Sequence, residues 1–401
     1  MSNSYEYAQL FNTMIDDLLI QGLTSGWMTG NATGLRYTGG NTVQIPRVST
    51  TGLGDYTRDG GASSYAAGSV TQVFDPYVFT MDRSAQFTLD AMDNDETAFV
   101  VNSSSIIADF NRRNVIPEVD SYRYSTVFDY ANLNTKLTSY TPAKATIYSQ
   151  LKSDLANIED IVGPGAELII TMSVPALNIL EQSTELSREL SSDDLTAGQT
   201  SEGKDISVKV KSIDGHPIVK VSSARMKSLY SFTTGFAADA NALDVNWLIT
   251  ARNVPIAAVK RDNLKMFDPG TNQQSDGWLM QYRQYHDLWI TSEGVSGIWA
   301  NYTPATAPAL SITVAGGSAS GTTKFTATAG AGNTLAYKLT AAADTATDLS
   351  YGIVVGGTTA YTSGADITAT AGQFLNAVEV DSEGKIVKAV VYELQAGDIT
   401  A

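Results

Sequence analysis

The residues suited to chemistry in this chain are few. It has two histidines, His216 and His286, and no cysteine. A histidine-based zinc site or a Ser–His–Asp triad must use one of those two imidazoles. His216 falls beside a tight turn and His286 in a strand-like run, and each reads as a structural residue. The G-x-S-x-G elbow, the H-E-x-x-H helix and the G-x-x-x-x-G-K-[ST] loop are all absent. Aspartate and glutamate are abundant, so a glycosidase-like carboxylate pair stays open, but nothing singles out one pair.

Three further stretches invite a chemical reading. Asp93, Asp95 and Glu96 cluster in DNDETAFVVNSS, as ligands of a hard cation would. The stronger reading is a helix start, with Asp93 or Asn94 as cap and the carboxylates favoured at its positive end. The EF-hand pattern is missing there, and DSEGK (381–385) reads as a turn between two strands. GLGDYTRDGG, within the glycine-rich residues 39–69, looks superficially like a phosphate cradle. Such loops run into a helix N-terminus whose amides hold the anion. Here another strand follows, and Asp55 and Asp59 would repel a phosphate. The other reading is a long arm. The sequence therefore gives no catalytic residue, no metal site and no cofactor, and the protein is expected not to be an enzyme.

Composition narrows the class. With 401 residues and 43% hydrophobic content, the chain is expected to fold into two or three globular domains. No apolar run approaches the ~20 residues of a membrane span, and the N-terminus does not read as a secretory signal. A net charge of −16 disfavours a broad grip on nucleic acid. The first lysine is Lys136; before it the cations are all arginine, whose planar fork suits protein interfaces.

The elements that must carry these residues follow from periodicity. Residues 5–20 have apolar positions at helical spacing. Residues 41–48 and 70–90 read as strands flanking a loop of roughly twenty residues, far beyond a usual hairpin connection. A helix is expected from about Thr97 to Ile116, kinked or ended by Pro117. Ile147, Leu151, Leu155 and Ile158 mark a helix, ELIITMSV (167–174) a buried strand, and Pro175 the first turn of another helix. ISVKVKSIDGHPIVKVSS is a hairpin turning at Asp214–Gly215. Further strands follow to about residue 302, so the middle is α+β. TPATAPA (303–309) reads as a linker. Beyond it, LSITV, TTKFTATA, TLAYKLT, GIVVGG, DITAT, FLNAVEV and KIVKAVVYEL read as the strands of a small β-sandwich.

Four stretches bring in a family. NVIPEVDSYRYSTV (114–127), DGHPIVKVSSARMKS (214–228), VNWLITARNVPIAAVKRDNLKMFDP (245–269) and NQQSDGWLMQYRQYHDLWI (272–290), in this order, resemble the major capsid protein of tailed bacteriophages, the Hong Kong 97-type fold. The resemblance covers about residues 1–302. It implies an N-terminal arm (1–35), an extended loop hairpin (36–90), a peripheral domain with a spine helix (91–142) and an axial domain (143–270). A return to the peripheral domain and a linker follow (271–304). Residues 305–401 resemble an immunoglobulin-like β-sandwich of the kind some phage coats display.

The implied function is structural: self-assembly through homo-pentamers and homo-hexamers into an icosahedral shell around phage DNA. The shell would assemble in the host bacterial cytoplasm and persist as the virion capsid, with a portal protein at one vertex. DNA would be enclosed without strong specific binding. Some relatives cross-link a lysine on the extended loop to an asparagine, but this loop has no lysine. Others carry a long coiled N-terminal scaffolding segment, and none is read here, which implies a separate scaffolding protein. Arg47, Asp55, Arg58, Asp59, Asp82 and Arg83 are the candidates for intersubunit ion pairs, against the alternative of a solvated loop. The C-terminal sandwich would project outward and could bind host-surface carbohydrate weakly if aromatics such as Tyr337, Tyr351, Tyr361, Tyr392, Phe325 and Phe374 lined a groove. The rival readings are an encapsulin-like cellular shell protein and a surface adhesin with a carbohydrate-binding sandwich.

Overall fold

The computed structural model describes residues 22–32, 35–37, 39–56, 58, 65–90, 92, 103–183, 191–199, 205–233, 235–273, 275–341 and 349–401. In chain order, β1 (Arg36–Tyr37), β2 (Thr42–Thr50), β3 (Val70–Val78) and β4 (Met81–Asp90) come first. Helix α1 (Ser103–Phe110) runs through a π-turn (Asn111–Val115) into α2 (Ile116–Leu133). β5 (Leu137–Ser139), α3 (Ile147–Val162), β6 (Leu168–Ser173) and α4 (Val174–Glu181) follow, then β7 (Ser191–Gln199), β8 (Asp205–Ile213) and β9 (His216–Val221). After the short β10 (Tyr230–Ser231) and β11 (Ala237–Ala238) come β12 (Asp244–Ala251), β13 (Ile256–Phe267), β14 (Gly277–Trp289) and β15 (Ile298–Thr303). The C-terminal strands are β16 (Thr313–Gly316), β17 (Thr322–Thr326), β18 (Thr334–Thr340), β19 (Thr359–Tyr361), β20 (Ile367–Thr368), β21 (Phe374–Val380) and β22 (Ile386–Glu393).

The chain divides into two units, and the first holds residues 28–108 and 256–289. It contains two three-stranded sheets, β1-β2-β3 and β13-β14-β4. The second unit holds residues 19–27, 109–255 and 290–401. Its centre is a seven-stranded sheet, β5-β15-β12-β6-β9-β8-β7. β6 is buried at every position, Thr171 and Ser173 included, and α3 and α4 pack against it. The expected stripe of α3 is the face that faces this core: Ile147, Leu151, Leu155 and Ile158 are all buried. The β8–β9 hairpin turns at Asp214 and Gly215, whose φ values of 54° and 80° are those of a type I′ turn.

Buried carboxylates lock the second unit. Asp154 on α3 accepts hydrogen bonds from Trp247 Nε1 (3.0 Å), Asn301 Nδ2 (2.9 Å), Thr138 Oγ1 (2.9 Å) and Gln150 Nε2 (3.0 Å). Burial pushes its carboxyl above the usual range, against the pull of those donors. Asp120 on α2 is fully buried and takes the segment before Gly26. It accepts the backbone N–H and the hydroxyl of both Thr24 (3.2 and 2.7 Å) and Ser25 (3.0 and 2.6 Å), and Arg225 NH1 at 3.0 Å. Arg123, also buried, donates to the Ser25 carbonyl at 3.1 Å. Burial pulls its guanidinium down to about 10.

Two expectations about α2 need correction or lie beyond view. Pro117 does not end the helical run: α2 begins at Ile116 and runs on to Leu133. The π-turn just before it explains why. Proline lacks an N–H and clashes with the carbonyl four residues back, and a widened turn relaxes that position. The cap at Asp93 or Asn94 and the helix at 5–20 lie outside the described residues.

The C-terminal region forms two sheets, β16-β17-β20 and β19-β18-β21-β22, closed on a core of Leu310, Phe325, Leu335, Ile367, Leu375 and Leu394. This is the all-β domain expected. TPATAPA, however, is not free linker: Thr306 bridges Ser350, and the Ala307 N–H donates to the Leu349 carbonyl at 3.3 Å. GIVVGG is not a strand; it folds as turns with a single bridge at Val354, and covers the second face of the four-stranded sheet. Glu379, buried on β21, accepts from Gly330 N (2.8 Å), Asn333 Nδ2 (2.6 Å) and Lys388 Nζ (3.0 Å).

Two predictions arise here. Asp120→Ala strands several buried donors and leaves Arg123 without its charge partner. It should lower the opening free energy of residues 22–27 and 116–128 by about 3–5 kcal/mol, read by native-state hydrogen exchange. Burial pushes the Glu379 carboxyl up, but the Asn333 amide, the Gly330 N–H and Lys388 outweigh it and hold it below its ordinary range. A depressed folded value stabilises the fold above the unfolded pKa and is lost as pH falls through the folded one. Protection across residues 330–340 should therefore drop between about pH 5 and pH 3, and Glu379→Gln should flatten that drop.

Candidate assembly surface

The candidate surface is the β2–β3 ribbon and its tip. Its root is an aromatic knot in the first unit, where Val43, Ile45, Phe79, Ala258 and Trp289 are buried together. The Phe79 ring lies 4.8 Å from Trp289, 5.0 Å from Tyr285 and 6.4 Å from Tyr37, centre to centre. The expected single strand over 70–90 breaks at Phe79 and Thr80 into β3 and β4. Asp287, buried on β14, holds the break: its Oδ2 accepts the Thr80 N–H at 2.7 Å and the Thr80 hydroxyl at 2.9 Å. Lys260 donates to the Gly40 carbonyl at the opposite corner and sits 6.0 Å from the Phe79 ring centre. Gly39 and Gly40 have φ of +92° and +61°, a turn into β2 that side-chain-bearing residues resist.

Beyond the root, β2 and β3 pair in register from Thr42↔Val78 to Thr50↔Val70. Pro46 sits in β2 without strain on the ladder, because β1 pairs only with Val43 and Gln44 and leaves that edge of β2 open. Thr51 and Ser69 close the ladder through Thr51 N–H to the Ser69 carbonyl (3.1 Å) and Ser69 N–H to Thr51 Oγ1 (2.9 Å). At the tip, Tyr56 and Tyr65 meet edge to face at 5.1 Å. A Cβ on Gly54 would come within 2.4 Å of the Ala66 Cβ, so the two tip strands need glycine to approach.

From Val48 to Val73 every described residue is exposed. Half of the exposed large apolar side chains among the described residues lie on residues 36–78: Tyr37, Val48, Leu53, Tyr56, Tyr65, Val70, Val73 and Val78. Tyr65 is 84% exposed even with Tyr56 against its ring, and Val70 is 73% exposed.

The six charged candidates do not form one cluster. Arg47 pairs across its own ribbon, Nε to Asp75 Oδ2 at 3.2 Å. Asp82 accepts from Arg283 Nε on β14 at 2.8 Å, and that hydrogen bond holds its carboxyl below the usual range. Arg83 lies on the opposite face of β4, in register with Gln284. Asp55 and Arg58 are exposed at the tip, and Asp59 lies outside the described residues. Charge-based reading missed the aromatic pair: DYTRDGGASSY carries two tyrosines within a stretch otherwise of small and polar residues, and that contrast was the available signal.

The other candidate chemistry resolves plainly. His216 Nε2 lies 3.0 Å from Glu159 Oε1, tying the β8–β9 turn to α3, and His286 is buried on β14. Among the described residues no group of three or more His, Asp and Glu side chains is arranged to hold a metal. No helix among them is long and apolar enough to cross a membrane. Of the C-terminal aromatics, Phe325, Tyr337, Tyr361 and Tyr392 pack in the inter-sheet core and Tyr351 in the second cluster. Phe325 and Tyr361 stack at 4.0 Å, and the Tyr361 hydroxyl donates to the Phe325 carbonyl at 2.7 Å. None of the six is exposed, so they do not form the aromatic groove expected for sugar stacking.

Comparison with known proteins gives two separate similarities. Residues 315–397 match the family described as the S-layer protein SbsC C-terminal domain. No curated protein matches the sequence. Among solved structures, the chain is similar to the capsid of cyanophage P-SCSP1u (12% identity, 67% of this chain, 85% of that chain, TM-score 0.47). It is similar to the mature capsid of bacteriophage PhiM1 (12% identity, 66% and 82% covered, TM-score 0.44). It is also similar to a virus-like particle from Pyrococcus furiosus (9% identity, 74% and 99% covered, TM-score 0.42).

The ribbon root yields a prediction. Asp287→Ala removes the acceptor of both Thr80 groups and should cost about 1–3 kcal/mol. Hydrogen exchange at residues 79–82 should rise more than at 168–173, in the other unit.

Proposed function

We propose that the chain is a shell-forming structural protein, the coat subunit of a tailed phage, and not an enzyme. The observation that carries the reading is the ribbon: a two-stranded element with tyrosines, valines and a leucine exposed along its distal half. An isolated ribbon of this kind is marginal in water, and its apolar surface calls for a partner. A second copy of the chain is the partner that makes such a surface useful, because a head-to-tail contact repeated around an axis closes a ring. The rings are homo-pentamers and homo-hexamers that tile an icosahedral shell around DNA, with a portal protein at one vertex and a separate scaffolding protein guiding assembly.

In this reading Tyr56 and Tyr65 anchor the tip on the neighbour, with Asp55 and Arg58 as the charged rim. Arg47 and Asp82 are held by Asp75 and Arg283 and serve to stiffen the ribbon and its base. The net charge of −16 suits an enclosure that does not grip its DNA. The C-terminal domain is an immunoglobulin-like module on the outside of the shell. The match of residues 315–397 to an S-layer domain favours one other reading, a surface-layer protein, but it speaks for that domain alone.

Negative-stain microscopy of the purified full chain, alone and with a scaffolding partner, should show rings, tubes or closed shells. A monomer that persists under both conditions would falsify the coat reading. Replacing residues 51–69 by Asn-Gly should leave far-UV circular dichroism almost unchanged and abolish shells. Tyr56→Ser with Tyr65→Ser should do the same more weakly.

A further inference from the structure

The end of α2 meets the C-terminal domain through side chains aimed at its backbone. Asn132, in the last turn and buried, donates from Nδ2 to the Gly352 carbonyl at 2.7 Å. Its Oδ1 accepts the Val354 N–H at 2.9 Å. One turn earlier Asp129 pairs with Lys385, whose ammonium also meets Glu383 at 2.7 Å. The segment that Asn132 grips is part of the domain's own packing: Leu349, Tyr351 and Val355 lie with Ala336, Val378 and Ile386 on the second face of the four-stranded sheet. The linker is fastened to the same segment through Thr306 and Ala307. The strand before the linker, β15, pairs in parallel with β5, which starts just after α2 ends.

We propose that the end of α2 is a latch that fixes the C-terminal domain in one orientation, so that helix and domain move as one body. Composition alone would make the domain a pendant on TPATAPA. The contacts argue otherwise, because both polar atoms of a buried amide are spent on main-chain groups of residues 352–354. Freed from Asn132, those groups would need water in a packed place. The Asp129–Lys385 pair is more exposed and adds direction more than energy. The latch rests on contacts within this chain and stands whether or not the coat reading does.

The chain has no cysteine, so a spin-label pair at Ser153→Cys and Ala371→Cys, both exposed sites, reports the distance between α3 and the C-terminal domain without background. The unsubstituted latch should give one narrow distance peak. Asn132→Ala with Asp129→Ala should lose that peak to a wide distribution, and elastase should then cut the Ala-rich linker. Hydrogen exchange over residues 374–393 checks that the domain itself stays folded. If the double variant loses that fold, Asn132→Asp is read in its place, since it keeps the acceptor and loses the donor to Gly352. A broad distribution with the latch intact, or a narrow one that survives the substitutions, overturns the proposal.

Discussion

The structure of the second unit depends on one carboxylate held where water cannot reach it. Asp120 takes the backbone and hydroxyls of Thr24 and Ser25 on one side and Arg225 on the other. Each of these groups would be costly to bury alone, and together they satisfy one another. Their geometry also fixes registry. A hydrophobic seam would let the segment before Gly26 slide along α2, but two N–H groups and two hydroxyls converging on one carboxylate admit a single position. Arg123 reinforces it from the next turn by reaching the Ser25 carbonyl. The Tyr124 hydroxyl closes the set on Thr24 at 2.9 Å.

The same device recurs where the sheet meets its helices. Asp154 on α3 collects Trp247 from β12, Asn301 from β15 and Thr138 from β5. Those three strands come from widely separated parts of the sequence and lie side by side at one edge of the seven-stranded sheet. Apolar packing of Ile147, Leu151, Leu155 and Ile158 supplies the drive to bury α3, but it is tolerant of small shifts. The carboxylate removes that tolerance. Asn132 then does for the C-terminal domain what Asp120 and Asp154 do inside the body, by spending a buried polar group on specified backbone or side-chain partners. Position along this chain is thus set by polar hubs, while apolar contacts set adhesion.

That division explains what could be read from the sequence. Periodicity reports apolar faces, so α3, β6, the β8–β9 hairpin and most of the C-terminal strands were legible. Asp120 was not legible as a hub, because its partners Thr24 and Ser25 lie almost a hundred residues away and nothing local marks them. Pro117 misled for the opposite reason: the local rule was sound, but a π-turn absorbed it. GIVVGG has strand composition, yet its role is to cover a sheet face and meet Asn132, which only the tertiary arrangement reveals. In the ribbon, reading by charge gave Asp55 and Arg58, which are exposed, the same weight as Arg47 and Asp82, whose partners Asp75 and Arg283 lie within the chain. The more telling residues, Tyr56 and Tyr65, carry no charge and no period.

The ribbon is the place where intrachain energetics stop accounting for the sequence. Its root is over-determined, with Phe79 against Trp289 and Tyr285 and with Asp287 holding Thr80. Among the described residues its distal half has a ladder of backbone hydrogen bonds and the cross-ribbon ion pair of Arg47 and Asp75, each modest in water. A sequence selected only to keep this hairpin soluble would place polar residues at Val48, Leu53, Val70 and Val73, as edge strands ordinarily do. Instead Val48, Leu53, Val70 and Val73 stay exposed, on a ribbon whose base is packed firmly enough to aim it. Firm aim and exposed apolar surface together are the properties of a contact made between molecules.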